Sequence, residues 1–186
     1  MGASLASTPW NPAHVERREK AGDFAELFAT QASFVWRVLR RLGVPEADAD
    51  DALQEAFLIV HHKLGDYEER GSVRAWLFTI ARQVASHHRR GEARRGRREA
   101  LSEPPVPGDD PHEAAVRREA AGIVREFLDE LDEERGIVFF LADVEGMAVP
   151  EIASSLGVNL NTVYGRLRTA RLRFEEFVLK RTKEER

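Results

Sequence analysis

Between Leu160 and Phe174 the sequence sets several arginines, among them Arg166, Arg168 and Arg171, beside Asn161, Thr162, Tyr164 and Thr169, with no acid among them. Guanidinium groups neutralise phosphates and offer forked donors to base edges, and amide and hydroxyl groups bond within a groove. That chemistry is recognition of nucleic acid, not bond making. The elements that must position it are legible just upstream. Ile152, Ala153 and Leu156 share one helical face, and Pro150 sits near its start, where a missing N–H costs little. Gly157 suits a left-handed stop and Asn159 an N-cap for the next helix. Small Ala153 lets the two helices approach closely, and Val163, Leu167, Ala170, Phe174 and Phe177 make the buried stripe of the second. The wheel leaves Asn161, Gly165, Arg168 and Thr169 outward, with Tyr164 and Arg171 on one margin and Thr162 and Arg166 on the other. A helix-turn-helix is predicted. A solvated antiparallel helix pair is the plain alternative, and the glycine, the cap and the acid-free run of arginines favour DNA.

A second basic zone lies upstream. From Arg82 to Arg98 seven arginines stand against the single Glu92. They follow a predicted helix from Val73 to Arg90 whose Val73, Trp76, Leu77, Ile80 and Val84 face inward, leaving Arg82, Gln83, Ser86, His87, Arg89 and Arg90 around the rest. Aromatics beside arginines and amides suit single-stranded bases, because stacking holds the base and cations hold the backbone. For Trp76 the core is the expected place. Between the basic zones, Glu99 to Glu151 carries fifteen acids against Arg117, Arg118, Arg125 and Arg135, so a net charge of -4 is compatible with two places where nucleic acid is expected to be touched.

Other clusters lead to no chemistry. Glu46, Asp48, Asp50 and Asp51 open a helix, where acids interact favourably with its positive end, and no oxygen-rich loop of calcium type accompanies them. His61-His62 and His87-His88 are adjacent pairs that diverge by about 100° on a helix, so no metal site is expected. No cofactor is expected either. The chain has 186 residues and no cysteine, no apolar run of membrane-span length and no signal-peptide pattern, and it is expected in the cytoplasm without inserting into a membrane.

In order, residues 1–19 are expected to be a flexible arm containing Trp10. Asp23 is a candidate N-cap for a helix carrying Phe24, Leu27 and Phe28, and a second segment runs through Phe34, Val35, Val38, Leu39 and Leu42 until Gly43 and Pro45 close it. Glu46 to Leu64 buries Leu53, Ala56, Phe57 and Val60 and directs Asp51, Gln54, Glu55 and Leu58 elsewhere. Gly65 to Ser72 is a polar loop. Pro104, Pro105, Pro107, Gly108, Asp109, Asp110 and Pro111 mark a linker, and a second helical unit then runs through Val116, Ile123, Val124, Phe127 and Leu131, then Ile137, Val138, Phe140, Leu141 and Val144. No segment alternates with period two. The fold class is all-α: two small helical domains, 20–98 and 113–186, joined by a Pro/Asp-rich linker at 99–112, the second ending in the helix-turn-helix.

These pieces resemble the extracytoplasmic-function (ECF) group of bacterial sigma factors, over about Asp23 to Phe177. Asp51 to Phe57 (DALQEAF) is similar to the family's polymerase-clamp motif. Arg74 to Arg82 (RAWLFTIAR) with His87 to Arg90 is similar to its promoter-melting helix. Asp143 to Met147, Glu151 to Ala153, Leu156-Gly157, Thr162-Val163 and Arg166-Leu167 are similar to the domain that reads the upstream promoter element. The sequence departs from the family at Asn161, where glycine is usual, at Gly165, where serine is common, and at Pro150, which is more often polar.

The resemblance implies a factor that brings core RNA polymerase to promoters and has no catalysis of its own. It assigns Asp51, Gln54, Glu55 and Leu58 to the polymerase β′ clamp helices, with the β flap as a further polymerase contact. It gives Tyr67, Arg70, Gly71 and Ser72 to a loop that captures a flipped base of the minus-ten element, and Arg82, Gln83, Ser86, His87, Arg89 and Arg90 to adjoining DNA. Asn161, Thr162, Tyr164, Gly165, Arg168 and Thr169 would meet the minus-thirty-five element, with Arg166 and Arg171 on phosphates. The acidic linker would thread toward the polymerase's RNA path. Since the sequence ends at Arg186, control is expected from a separate anti-sigma protein. Two rivals remain open: a stand-alone dimeric regulator using the C-terminal motif, and a nucleic-acid enzyme, for which no paired carboxylates, activated nucleophile or phosphate-cradling loop is visible.

Overall fold

The computed structural model describes residues 12–67, 72–92 and 111–184. The expectations for Trp10, for Arg70 and Gly71, and for the linker up to Asp110 lie outside those residues, as does the side chain of Arg90, whereas Pro111 and His112, expected in the linker, already belong to a helix, which a proline can open. Seven α-helices occur among the described residues and no strand: α1 Pro12–Arg41, α2 Glu46–Lys63, α3 Val73–Glu92, α4 Pro111–Glu130, α5 Glu133–Phe139, α6 Val149–Leu156 and α7 Leu160–Glu184.

The N-terminal unit packs α1, α2 and α3 around Phe34, Val38, Leu39, Phe57, Leu77 and Phe78, all at most 3% exposed. Phe24 and Phe28 close one end edge-on against Phe57, with ring centroids 6.1 and 4.7 Å away. The helix of this region is longer than the sequence suggested. Asp23 lies inside α1 and caps nothing, because helix already begins at Pro12, within the stretch expected to be an irregular arm. A proline at a helix's first position is pre-set for it, which favours that earlier start. The other end is as expected: Gly43 takes φ +89°, Pro45 precedes α2, and Glu46 and Asp48 stand in the first turn of α2. Phe78 is fully buried and offers no face to a base, whereas Trp76 is half-buried with Tyr67 tilted against it at 4.7 Å.

The C-terminal unit is built on an aromatic cluster. Phe127 of α4, Phe139 of α5 and Phe174 of α7 have ring centroids 5.0–5.4 Å apart, and Phe177 lies 5.6 Å from Phe127. Such contacts add to area burial and clamp α4 and α5 onto α7. Asp132 caps α5, accepting from the Arg135 amide at 3.0 Å. Between α5 and α6 the chain makes a π-helical turn over Phe140–Val144, closed by Glu145 N donating to Phe140 O at 2.9 Å. An extra residue in that turn rotates the downstream side chains by about 100°. Val144, expected on the buried stripe, is therefore 43% exposed, and Glu145 turns inward at 5%.

The two units are packed against one another. α3 lies against α6, and α6 against α7. Buried apolar side chains of both units belong to one cluster, and hydrogen bonds also cross between them: Arg37 grips Glu145 with two bonds of 2.6 and 2.9 Å, and Arg74 donates to the Glu145 carbonyl at 2.5 Å.

Candidate nucleic-acid interface

The helix-turn-helix forms as its residues dictate. Pro150 occupies the first turn of α6, and Gly157 stops the helix at φ +70°, ψ +33°. With that left-handed residue in place, Val158 N reaches back to Ala153 O at 3.1 Å and Gly157 N to Ser154 O at 3.2 Å, satisfying carbonyls that the helix end leaves open. Asn159 then caps α7, its side-chain oxygen accepting from Asn161 N at 2.8 Å. Ile152, Ala153, Val163, Leu167 and Ala170 are buried between the two helices, which fixes the angle of α7.

On the outer side of α7, Asn161, Thr162, Tyr164, Gly165 and Arg168 are exposed, Tyr164 at 52%. Thr169 is half-buried and bonds its own helix at Gly165 O. Two arginines on the margins have acid partners: Arg166 reaches Glu134 of α5 at 2.5 Å, and Arg171 holds both Asp143 oxygens at 2.6–3.2 Å. The bond to Asp143 raises the Arg171 pKa, outweighing burial, so its charge is secure. These pairs brace α7 against α5 and the π turn, and leave Arg168 as the cation projecting from the centre of the face.

On α3, Arg82, Gln83, His87 and Arg89 are exposed and Ser86 is half-buried. Arg82 donates to Leu156 O at 3.4 Å, and Arg89 to Glu133 of α5 at 2.8 Å. Ser72, just before α3, donates to Glu151 of α6 at 2.9 Å and caps α3 by accepting from Ala75 N. A cleft of about 720 Å³ lies between the units, lined by Arg82, Gln83 and Arg89 on one side and Glu133, Glu134 and Arg166 on the other. The structure thus brings the α3 group and the margin of the α7 group to one place.

The α2 group lies beside the α3 one, with Glu55 within 3.9 Å of His87. Asp51 and Gln54 are exposed, Leu58 is an exposed apolar side chain at 56%, and Glu55 is half-buried with His88 of α3 at 3.1 Å. An apolar side chain ringed by polar ones, on an otherwise well-packed helix, has the make-up of a protein contact rather than of a nucleic-acid one.

Sequence reasoning gave no role to Arg37, Glu133, Glu134 or Glu145. The acids sit in a run that reads as solvated charge, and only the π turn, which has no simple sequence signal, sends Glu145 inside.

Residues 27–95 match the family described as Sigma-70 region 2, and residues 121–174 match Sigma-70, region 4. The chain is 32% identical over 165 residues to the ECF RNA polymerase sigma factor SigE of Mycolicibacterium smegmatis, a match covering 86% of this chain and 63% of SigE. It is 32% identical over 168 residues to the RNA polymerase sigma factor NccH of Alcaligenes xylosoxydans xylosoxydans, covering 83% of this chain and 88% of NccH. Among solved structures, CnrH in complex with the cytosolic domain of CnrY aligns with a TM-score of 0.59 and 29% identity, over 83% of this chain and 86% of that one. The sigma factor RpoE in complex with the anti-sigma factor NepR from Bartonella quintana aligns with a TM-score of 0.65 over 84% of this chain and 96% of that one; at 19% identity the likeness is one of fold.

Proposed function

Since the chain belongs to the sigma-70 family, in its ECF group, we propose that it carries out promoter-specific initiation through three surfaces, each with a distinct task. Asp51, Gln54, Glu55 and Leu58 on α2 seat the chain on the β′ clamp helices of core RNA polymerase, with the β flap contacting the C-terminal unit. Tyr67 to Ser72 and the face of α3 hold the unpaired strand of the minus-ten element. Asn161, Thr162, Tyr164, Gly165, Arg168 and Thr169 enter the major groove at the minus-thirty-five element, while Arg166 and Arg171 trade their acids for phosphates. The observation that carries this reading is the occurrence, in order, of a region 2 and a region 4, with Asp51, Gln54 and Leu58 exposed on α2.

Physics supplies the mechanism without chemistry by the chain itself. Each unit binds DNA weakly, and mounting both on one polymerase raises the effective concentration of the second for its element. Extruding a base costs a few kcal/mol, which capture in a stacking and hydrogen-bonding pocket offsets. Phosphate contacts give affinity that falls with salt, and groove contacts give choice of sequence. The factor acts where polymerase and chromosome are, in the cytoplasm, and two similar chains are known in complexes, CnrH with CnrY and RpoE with the anti-sigma factor NepR. A protein inhibitor of the anti-sigma kind is accordingly assigned to this chain too.

Co-purification with core polymerase tests the first surface. Gln54→Ala and Leu58→Ser, both at exposed positions, are expected to leave helical content unchanged and to abolish retention on core. Retention of both variants at the wild-type level would refute the assignment of α2.

A further inference from the structure

We infer that Asp143 is a specificity determinant of the α7 face: by holding Arg171 it turns that arginine's phosphate contact into an exchange of partners, so that the grip on duplex depends on base contacts around Arg168. The inference rests on the function proposed above and adds to it an acid that works against DNA affinity.

The geometry is that of a forked anion site already filled. Asp143 belongs to the π turn over Phe140–Val144, which sets it against α7. Its two oxygens accept three bonds of 2.6–3.2 Å from the Arg171 guanidinium, the arrangement a phosphate would also take. Both partners reach solvent, with side chains 55% exposed for Arg171 and 26% for Asp143, so a duplex can come up to the pair. On the opposite margin Glu134 holds Arg166 at 2.5 Å. Of the three arginines Arg166, Arg168 and Arg171, two therefore meet a duplex already paired.

Pairing changes what such an arginine contributes. A guanidinium that leaves a carboxylate for a phosphate gives up one forked oxyanion for another, and the vacated carboxylate then repels the phosphate beside it. The pair arrives nearly neutral and displaces few counterions. An arginine with no acid beside it adds one phosphate contact to every duplex, whatever the sequence. The bond to Asp143 raises the Arg171 pKa, so the guanidinium stays charged in either partnership and no proton enters the exchange. Exposed ion pairs contribute little to stability, so bracing α7 is a small part of what this acid does. On a polymerase that also engages the nearer element, surplus phosphate affinity would let the C-terminal unit settle upstream without its own element. Asp143 removes that surplus.

Asp143→Asn keeps the side chain's shape and removes its charge. The full chain is assembled on core RNA polymerase, and retention of labelled duplex is measured against salt, for fragments at which the chain creates start sites and for a duplex of random sequence. The variant is expected to bind both more tightly at about 50 mM salt and to lose about 3.5-fold more affinity than wild type on going to about 200 mM, as one added phosphate contact at a slope of about 0.9 requires. The gain should vanish when Asp143→Asn is made on top of Arg171→Gln. It should also be absent from Glu176→Gln, which removes the same charge from α7 in the groove against α4. In transcription, Asp143→Asn should start at fragments whose farther element has been scrambled and which wild type ignores. Weaker binding by Asp143→Asn, an unchanged salt slope, or an equal gain from Glu176→Gln or without Arg171 would overturn the inference and leave the proposed function standing. A wild-type chain that gives core polymerase no start site on any fragment would overturn the proposed function, and the inference with it.

Discussion

Replacing Gly157 and Gly165 separately by alanine should change stability in opposite directions, although the two sites are only eight positions apart in the same motif. At Gly157 a Cβ would meet nothing within 4 Å, so no clash contributes; what remains is the left-handed backbone at φ +70°. For a residue with a Cβ that conformation costs roughly 1–2 kcal/mol. At Gly165 a Cβ also meets nothing within 4 Å, but the backbone is ordinary helix inside α7. There alanine removes the entropic cost of glycine and should stabilise by roughly 0.5–1 kcal/mol. The predicted gap between the variants is therefore about 2 kcal/mol, or about 4–8 °C in Tm for a chain of this size. Equilibrium urea unfolding, followed by far-ultraviolet circular dichroism, measures it as a shift in midpoint at constant slope. Gly157→Asn should recover part of the loss, because asparagine tolerates the left-handed region. A neutral Gly157→Ala would mean that the turn between α6 and α7 is not left-handed, and the capping account of the motif would fall. A destabilising Gly165→Ala would mean that the outer face of α7 is crowded rather than open.

Three further outcomes come from the same geometry. Ile152→Ala deletes a fully buried side chain between α6 and α7 and should cost about 2–5 kcal/mol, read by urea unfolding, with DNA binding by the C-terminal unit lost in parallel. Asp132→Ala removes the cap of α5 and should cost about 1 kcal/mol at neutral pH. Burial opposes ionisation of Asp132, but hydrogen bonds from the Arg135 side chain and amide, with its charge, hold the pKa below the ordinary 3.8. A folded value below the unfolded one means that this ionic contribution is complete above the unfolded pKa and is lost as pH falls through the folded one. The difference between wild type and Asp132→Ala should therefore narrow in unfolding curves taken below about pH 4. For the exposed pair Arg171–Asp143, a double-mutant cycle with Arg171→Gln and Asp143→Asn should give a coupling below about 1 kcal/mol that shrinks with added salt.

The helices were legible wherever a single face decided their register. Val163, Leu167 and Ala170 recur at helical spacing because α7 buries one stripe, and Gly157 and Asn159 punctuate the motif by backbone chemistry that is local and hence written in the sequence. Local signals failed where competing starts were available: Asp23 is a good cap, but Pro12 begins the helix earlier. They failed again at the π turn, whose extra residue exchanged Val144 for Glu145 on the buried side. The residue types of the candidate interface were likewise readable, since arginine, amide and hydroxyl groups declare their chemistry. Their pairing was not. That Arg166 meets Glu134, Arg171 meets Asp143 and Arg37 meets Glu145 depends on how separate helices come together, and nothing in the spacing of one helix carries it.

Transcription in vitro, with purified core RNA polymerase on a library of genomic fragments, asks both units to work at once. Start sites that appear only when the chain is added should share two short upstream sequences at constant spacing, and Arg168→Ala should abolish dependence on the farther one while Gln83→Ala impairs opening at the nearer. If the chain adds no start site to those of core polymerase alone, or if the new sites share no paired upstream elements, the division of labour between the two units is wrong.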